Sequence, residues 1–104
     1  MQLKPTGYGS NSQYLIDDLG IIAGIVINEK LRFKLHDTVY VMADSEGSFG
    51  VGITDGGYGI IDLIIEDKAE RFFGVRMMKS GDFGFVKASQ MSWISSRYEL
   101  KLPD

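Results

Sequence analysis

The chain has 104 residues, a net charge of −3 and 44% hydrophobic residues, values typical of one folded domain rather than a disordered segment. It has no cysteine and one histidine, which excludes disulfides, thiolate nucleophiles and two-histidine metal sites. Its longest apolar run, residues 21–27, is far shorter than the roughly 20 residues of a membrane-spanning helix. No charged leader precedes an apolar stretch, so we expect a cytoplasmic protein without membrane contact. Small size and the lack of cysteine favour a bacterial or phage origin.

The first twelve residues are rich in proline, glycine and polar turn formers, and they predict an irregular N-terminal arm before a single domain over residues 13–104. Residues 21–27 are β-branched and almost wholly apolar, which is typical of a strand buried on both faces. Residues 31–35 alternate apolar and basic side chains, as a half-buried strand does. Further strands are expected, with turns between them, at residues 38–43, 49–54, 71–78, 83–87 and 97–102.

Residues 58–70 fit two secondary structures. The isoleucines at 60, 61, 64 and 65 have helical spacing, whereas Gly59 and the β-branched composition favour a strand. We favour a strand over 58–65 with a turn at 66–70, and a helix over 60–70 is the alternative. One short helical turn is expected at 89–92.

An aromatic residue, a glycine and an apolar residue follow one another four times in the second half of the chain. Glycine is unfavourable inside a helix, but in a strand it marks a sharp bend or the close approach of another backbone. A neighbouring aromatic ring can cover the backbone that glycine leaves bare. The pattern predicts a mostly-β fold, specifically a small and strongly bent β-barrel. The four copies are Phe49-Gly50-Val51, Tyr58-Gly59-Ile60, Phe73-Gly74-Val75 and Phe83-Gly84-Phe85.

Two segments resemble the Src-homology-3-like small β-barrel superfamily. In residues 31–41, alternating leucine and phenylalanine lead into an acidic turn and a hydrophobic strand; in residues 84–94, a glycine and an apolar strand lead into a helical turn and a last strand. The resemblance implies barrel architecture. It does not imply proline-rich peptide recognition, for which members of the family carry a tryptophan in the middle of the domain and a proline and a tyrosine around the helical turn. Here the proline position is held by Lys87 or a neighbour, the tyrosine position looks like Met91, and the only tryptophan, Trp93, follows the turn.

The sequence offers little for catalysis. His36 and Asp37 are adjacent, and neighbours on a strand point to opposite faces, so we expect His36 to be a turn or surface residue. No phosphate-binding loop or nucleophile elbow is present, and the turn carboxylates lack the spacing of a calcium loop. We therefore expect a protein that is not an enzyme and that uses no metal or cofactor.

Charge is segregated along the chain. Residues 35–67 contain seven acids and no lysine or arginine, whereas residues 68–101 contain seven bases and three acids. We expect an acidic surface that binds a basic partner protein, as in an adaptor, inhibitor or assembly component. The alternative is that the two segments neutralise each other. Exposed edge strands would also allow a homodimer. The candidate protein-binding residues are Asp44, Glu46, Asp55 and Asp62.

Binding of single-stranded nucleic acid is the alternative function. Small barrels stack bases on aromatic rings beside a cationic groove, and segment 71–87 interleaves cations with phenylalanines. However, we expect Phe83 and Phe85 to share a core face with Phe73, and the sequence pI of about 5.0 argues against such a partner. The candidate residues for this alternative are Arg71, Arg76, Lys79 and Lys87.

Overall fold

The computed structural model describes residues 1–6, 11–67 and 70–103. These residues form a mostly-β fold, as predicted from the glycine pattern and the alternating segments. A short 3-10 helix, Ala88–Gln90, precedes the last strand. The strands are β1 (Gln2–Pro5), β2 (Ser12–Ile16), β3 (Ile22–Ile27), β4 (Lys30–Lys34), β5 (Thr38–Val41), β6 (Gly57–Asp67), β7 (Glu70–Met77), β8 (Phe83–Val86) and β9 (Met91–Ser95).

The strands form two antiparallel sheets. The first sheet has the order β1-β2-β3-β4, and the second has the order β8-β7-β6-β5-β9. Among the described residues neither sheet closes on itself, so the mostly-β prediction is confirmed whereas a closed barrel is not. The chain passes from the first sheet to the second at residues 35–37, between β4 and β5.

Two boundary predictions are corrected by the sheet pairing. Residues 2–5 were expected in an irregular arm, but they pair with β2 in register from Gln2 opposite Ile16 to Pro5 opposite Gln13; residues 7–10 lie outside the described part of the chain. The strand over 58–65 is confirmed and extends to Asp67, because β7 supplies ladder partners along its length. The helical alternative over 60–70 and the predicted turn at 66–70 are therefore wrong wherever the chain is described, because residues 60–67 and 70 lie in strands. Residues 68–69 lie outside the described part of the chain.

Other predicted elements differ in extent. The helical turn near 89–92 is confirmed and begins at Ala88. Residues 49–54 do not form a regular strand, because Gly50 and Gly52 adopt positive φ angles of 101° and 87° that interrupt an extended backbone. The predicted closing strand over 97–102 is also wrong. Its residues alternate apolar and charged side chains but pair with no described strand.

One hydrophobic core lies between the two sheets. The rings of Phe33 in the first sheet and Phe73 in the second lie 5.2 Å apart between centroids, which joins the sheets directly. Burying a side chain of this kind contributes roughly 1.5–3 kcal/mol. The core includes Tyr14, Ile25, Val39, Val41, Ile53, Ile61, Ile64, Phe73, Val75, Met77, Val86 and Met91.

The glycine at position 84 allows the segment around Val51 to cover the outer edge of β8. A Cβ atom on Gly84 would lie 2.2 Å from the carbonyl oxygen of Val51. Val51 and Phe85 exchange two backbone hydrogen bonds, of 2.9 and 2.8 Å. At Gly74, the Phe83 ring lies 2.7 Å from where a Cβ would be, so the aromatic covers the bare backbone as predicted. The pairing with Val51 protects an edge that could otherwise add a foreign strand.

Among the described residues, no helix has the length and hydrophobicity needed to cross a lipid bilayer.

Candidate functional site

The outer face of the second sheet carries several exposed apolar side chains. Val39 and Val41 of β5 point into the core, so the intervening Tyr40 points outward. In register, Tyr40 lies opposite Tyr58 of β6 and Ser92 of β9. Large apolar patches on a soluble domain mark interaction sites more often than isolated exposed residues do. The exposed apolar side chains of this outer face are Tyr40, Met42, Tyr58, Leu63, Met78, Phe83 and Ile94.

A groove of about 1050 Å³ crosses this face, and we call it the tyrosine groove. Tyr40 and Tyr58 line it, and their rings lie 5.0 Å apart at 82°, an edge-to-face arrangement. Met78, 61% exposed, stands beside the pair because its backbone N–H donates to the carbonyl of Tyr58 at 2.9 Å. The lining of the groove includes the apolar and aromatic residues Tyr40, Tyr58, Met78 and Ile94 and the charged residues Asp55, Lys79 and Asp82.

A second feature of the outer face is the Arg76 cluster, which consists of Arg76, Asp62 and Phe83. The Arg76 Nε lies 3.0 Å from Asp62 Oδ2, and the guanidinium carbon lies 5.4 Å from the centroid of the Phe83 ring. Both charged side chains are partly exposed, so the ion pair contributes little to stability. It does place an arginine, a carboxylate and an aromatic ring together on the same face as the tyrosine groove.

The four predicted acidic residues do not form one cluster. Asp44 Oδ1 accepts backbone N–H bonds from Glu46 and Ser48, both of 2.9 Å, and so shapes the loop after β5. Glu46 is exposed in the same loop. Asp55 lines the tyrosine groove, whereas Asp62 is paired with Arg76, so the acidic and basic segments neutralise each other at this pair of described residues. Within the described ranges, no three acidic or histidine side chains lie close enough to hold a metal ion.

The four predicted basic residues are also divided. Arg71 and Lys87 line a separate groove of about 280 Å³, where Arg71 Nη1 donates to Ser12 Oγ of β2 at 2.9 Å. Lys79 lines the tyrosine groove, and Arg76 belongs to its own cluster. The four predicted basic residues therefore do not line one continuous groove.

The expected location of the phenylalanines is partly wrong. Phe73 is fully buried, but Phe83 is exposed on the opposite side of the sheet and its ring packs edge-on against Phe85 at 5.4 Å. The reason is the register: Phe73 lies directly opposite Val86, so Val86 shares its inward face and the adjacent Phe85 points outward. These outward aromatics, like the tyrosine pair, were not recognised from the sequence.

A buried polar cluster joins the two sheets near the β4–β5 connection. Asp37 is fully buried, and its Oδ2 accepts hydrogen bonds from Trp93 Nε1 and from the Lys34 backbone N–H, both at 3.0 Å. Lys34 Nζ lies 3.1 Å from Asp37 Oδ1 and also bonds Ser96 Oγ. Oδ1 receives no aligned hydrogen bond from a described residue, so its polar contact is the ion pair. The cluster holds β4, the connection and β9 together.

His36 takes no part in this buried cluster. It has a positive φ of 73°, is exposed and packs its ring edge-on against Tyr98 at 5.8 Å, which confirms the prediction of a turn or surface residue. The described side-chain contacts of Asp37 are to Lys34 and Trp93 instead.

The tyrosine groove offers aromatic faces and edges, a thioether and two carboxylates around an open space, a set suited to non-covalent binding. Comparisons of the chain with protein-family models, with curated proteins and with solved structures find no match.

Proposed function

We propose that this protein is a non-catalytic protein-binding module whose contact surface is the outer face of the second sheet. The observation that carries the proposal is the tyrosine groove, where an edge-to-face tyrosine pair is flanked by exposed Met78 and Ile94. Aromatic residues, methionine and arginine are enriched at protein interfaces, and all three occur on this face. An adaptor, an inhibitor or an assembly component would use such a surface.

The charges around the groove favour a basic partner. Two carboxylates, those of Asp55 and Asp82, line the groove together with a single amine, that of Lys79. Asp44 and Glu46 lie in the loop that leads to Asp55, so they would attract a basic surface at longer range. Asp62 contributes less than predicted because Arg76 offsets its charge.

Two further proposals concern architecture and assembly. The 3-10 helix between β8 and β9 supports the proposed relation of the second sheet to the Src-homology-3-like superfamily. A homodimer through this sheet would use β9, because Val51 occupies the edge of β8.

Single-stranded nucleic acid binding is the second candidate function, and one observation favours it. Phe83 and Phe85 lie on the outer side of the sheet with Arg76 above the Phe83 ring, so a base could stack beside a cation there. The net charge of −3 and the carboxylates of the neighbouring groove oppose a polyanion, which is why we favour a protein partner.

Tyr58→Ser should weaken capture of the partner by at least tenfold. Tyr58 is 53% exposed and lines the groove, and truncating an aromatic anchor of this kind typically costs about 2 kcal/mol or more, roughly a 30-fold change. The measurement is affinity capture from a cell extract with quantitative mass spectrometry, comparing wild-type and variant chains. Leu19→Ser is the matched control, because Leu19 is 84% exposed on the turn between β2 and β3. Equal recovery of every captured protein by the wild-type and Tyr58→Ser chains would contradict the proposal.

Neutralising the loop acids should slow association without changing the fold. We expect the triple variant Asp44→Asn, Glu46→Gln, Asp55→Asn to bind the captured partner several-fold more slowly at low salt, since the charges steer the encounter. The asparagine oxygen at position 44 can still accept the two loop N–H bonds. The association rates of wild type and variant should differ at 50 mM salt and become similar at 500 mM salt. If the triple substitution left the association rate at low salt unchanged, these three carboxylates would not contribute to partner binding.

A further inference from the structure

The Arg76 cluster shows how this sheet face holds an arginine. The guanidinium of Arg76 lies over the Phe83 ring while its Nε pairs with the Asp62 carboxylate. A guanidinium is planar and weakly hydrated, so it can contact an aromatic ring and bind a carboxylate at the same time; an ammonium group does this less well.

The tyrosine groove has the same two components without an arginine of its own among the described residues. Tyr40 and Tyr58 supply the aromatic rings, and Asp55 and Asp82 supply the carboxylates. Neither carboxylate forms an ion pair with a described residue, although Lys79 lines the same groove. The local charge is therefore complementary to one added cation, and it opposes a phosphate or carboxylate ligand.

The size of the groove indicates whether the added cation belongs to a small molecule or to a protein segment. At about 1050 Å³ the groove is as large as the larger small-molecule sites, far more than one arginine side chain fills. The apolar surface of Met78 and Ile94 would be covered only if residues beside the arginine are apolar. A protein segment that carries an arginine and apolar neighbours fills the groove and covers this apolar surface, whereas a free arginine supplies only the cation.

We propose that the partner binds by inserting an arginine side chain into the tyrosine groove, against the tyrosine rings and within reach of Asp55 and Asp82. This inference rests on the proposed protein-binding function and specifies the partner's anchor. The arginine would reproduce, between two proteins, the arrangement that Arg76 forms within this chain.

The test compares two peptides of equal charge, nona-arginine and nona-lysine, titrated into the full chain at 150 mM salt and followed by NMR. We expect nona-arginine to bind at least fivefold more tightly, with the largest shifts at Tyr40, Tyr58 and their neighbours. Tyr58→Leu should retain apolar bulk but remove most of the preference for arginine. Equal affinity for the two peptides, or shifts centred outside the groove, would overturn the inference.

A charge-matched pair of variants separates the groove carboxylates from net charge. Asp55→Asn with Asp82→Asn should weaken nona-arginine binding about tenfold. Asp18→Asn with Glu29→Gln removes the same charge from exposed turns of the first sheet and should change it less than twofold. Equal losses from both pairs would also overturn the inference. If arginine preference is absent while Tyr58→Ser still abolishes partner capture, the inference is wrong and the protein-binding function stands.

Discussion

Replacing Asp37 with alanine will lower the free energy of unfolding by about 3–5 kcal/mol, the usual cost of breaking a buried ion pair by removing one partner. Lys34 is 8% exposed, so its ammonium group would remain buried without a counter-ion. Trp93 Nε1 and the Lys34 backbone N–H would each lose the acceptor that they share. Urea denaturation followed by the fluorescence of Trp93, the single tryptophan, measures the change directly.

Two control variants sharpen this result. Asp37→Asn should cost less, because the amide oxygen can still accept from Trp93 and only the ion pair with Lys34 is lost. Asp18→Ala should leave the unfolding midpoint unchanged, since that side chain is exposed. If Asp37→Ala were no more destabilising than Asp18→Ala, the buried cluster would not hold the two sheets together.

Gly84→Ala will destabilise the protein by about 1–3 kcal/mol and promote association between copies. The added Cβ would lie 2.2 Å from the Val51 carbonyl oxygen and 2.6 Å from Ile53 Cγ1, so the covering segment must move away from β8. Moving it would expose the hydrogen-bonding groups of Phe85, and an unpaired edge is a template for strand addition. Thermal unfolding measures the loss of stability, and light scattering as a function of concentration measures association.

Gly47→Ala separates steric overlap from backbone strain. Gly47 has a φ of 82°, and no atom of a described residue lies within 4 Å of the position that a Cβ would take. An alanine at position 47 would therefore be destabilising only because of its left-handed backbone conformation, by roughly 1–2 kcal/mol. The variant should remain monomeric. A Gly84→Ala protein that is equally monomeric, with an unfolding temperature equal to wild type, would show that Val51 does not protect the edge of β8.

The strands were largely predictable because alternation is a local property. Leu31, Phe33 and Leu35 alternate with basic residues, and Gly59 with its isoleucines favoured β6 over a helix. Pairing between strands is not local. Gln2 meets Ile16 across β1 and β2, and the alternating residues 97–102 meet no described strand at all. The same limit explains why two sheets, rather than a closed barrel, could not be foreseen.

The candidate site was harder to predict than the fold, because it depends on which strands are neighbours. Alternation alone places Tyr40 on the face opposite Val39, yet it does not reveal that Tyr58 lies across from it. Asp55 and Asp82 were separate turn carboxylates in the sequence, and the hairpin of β6 and β7 brings both to one groove. The faces of Phe73 and Phe83 were misassigned for the same reason: the register across the β7–β8 hairpin decides them.

Site-specific photo-crosslinking tests the central claim, that the outer face of the second sheet is the binding surface. A benzophenone amino acid would replace Tyr58 in the tyrosine groove and, in a parallel chain, Leu19 on the turn between β2 and β3. After irradiation with the captured partner, we predict a covalent adduct from position 58 and none from position 19. An adduct from position 19 with none from position 58 would contradict the account.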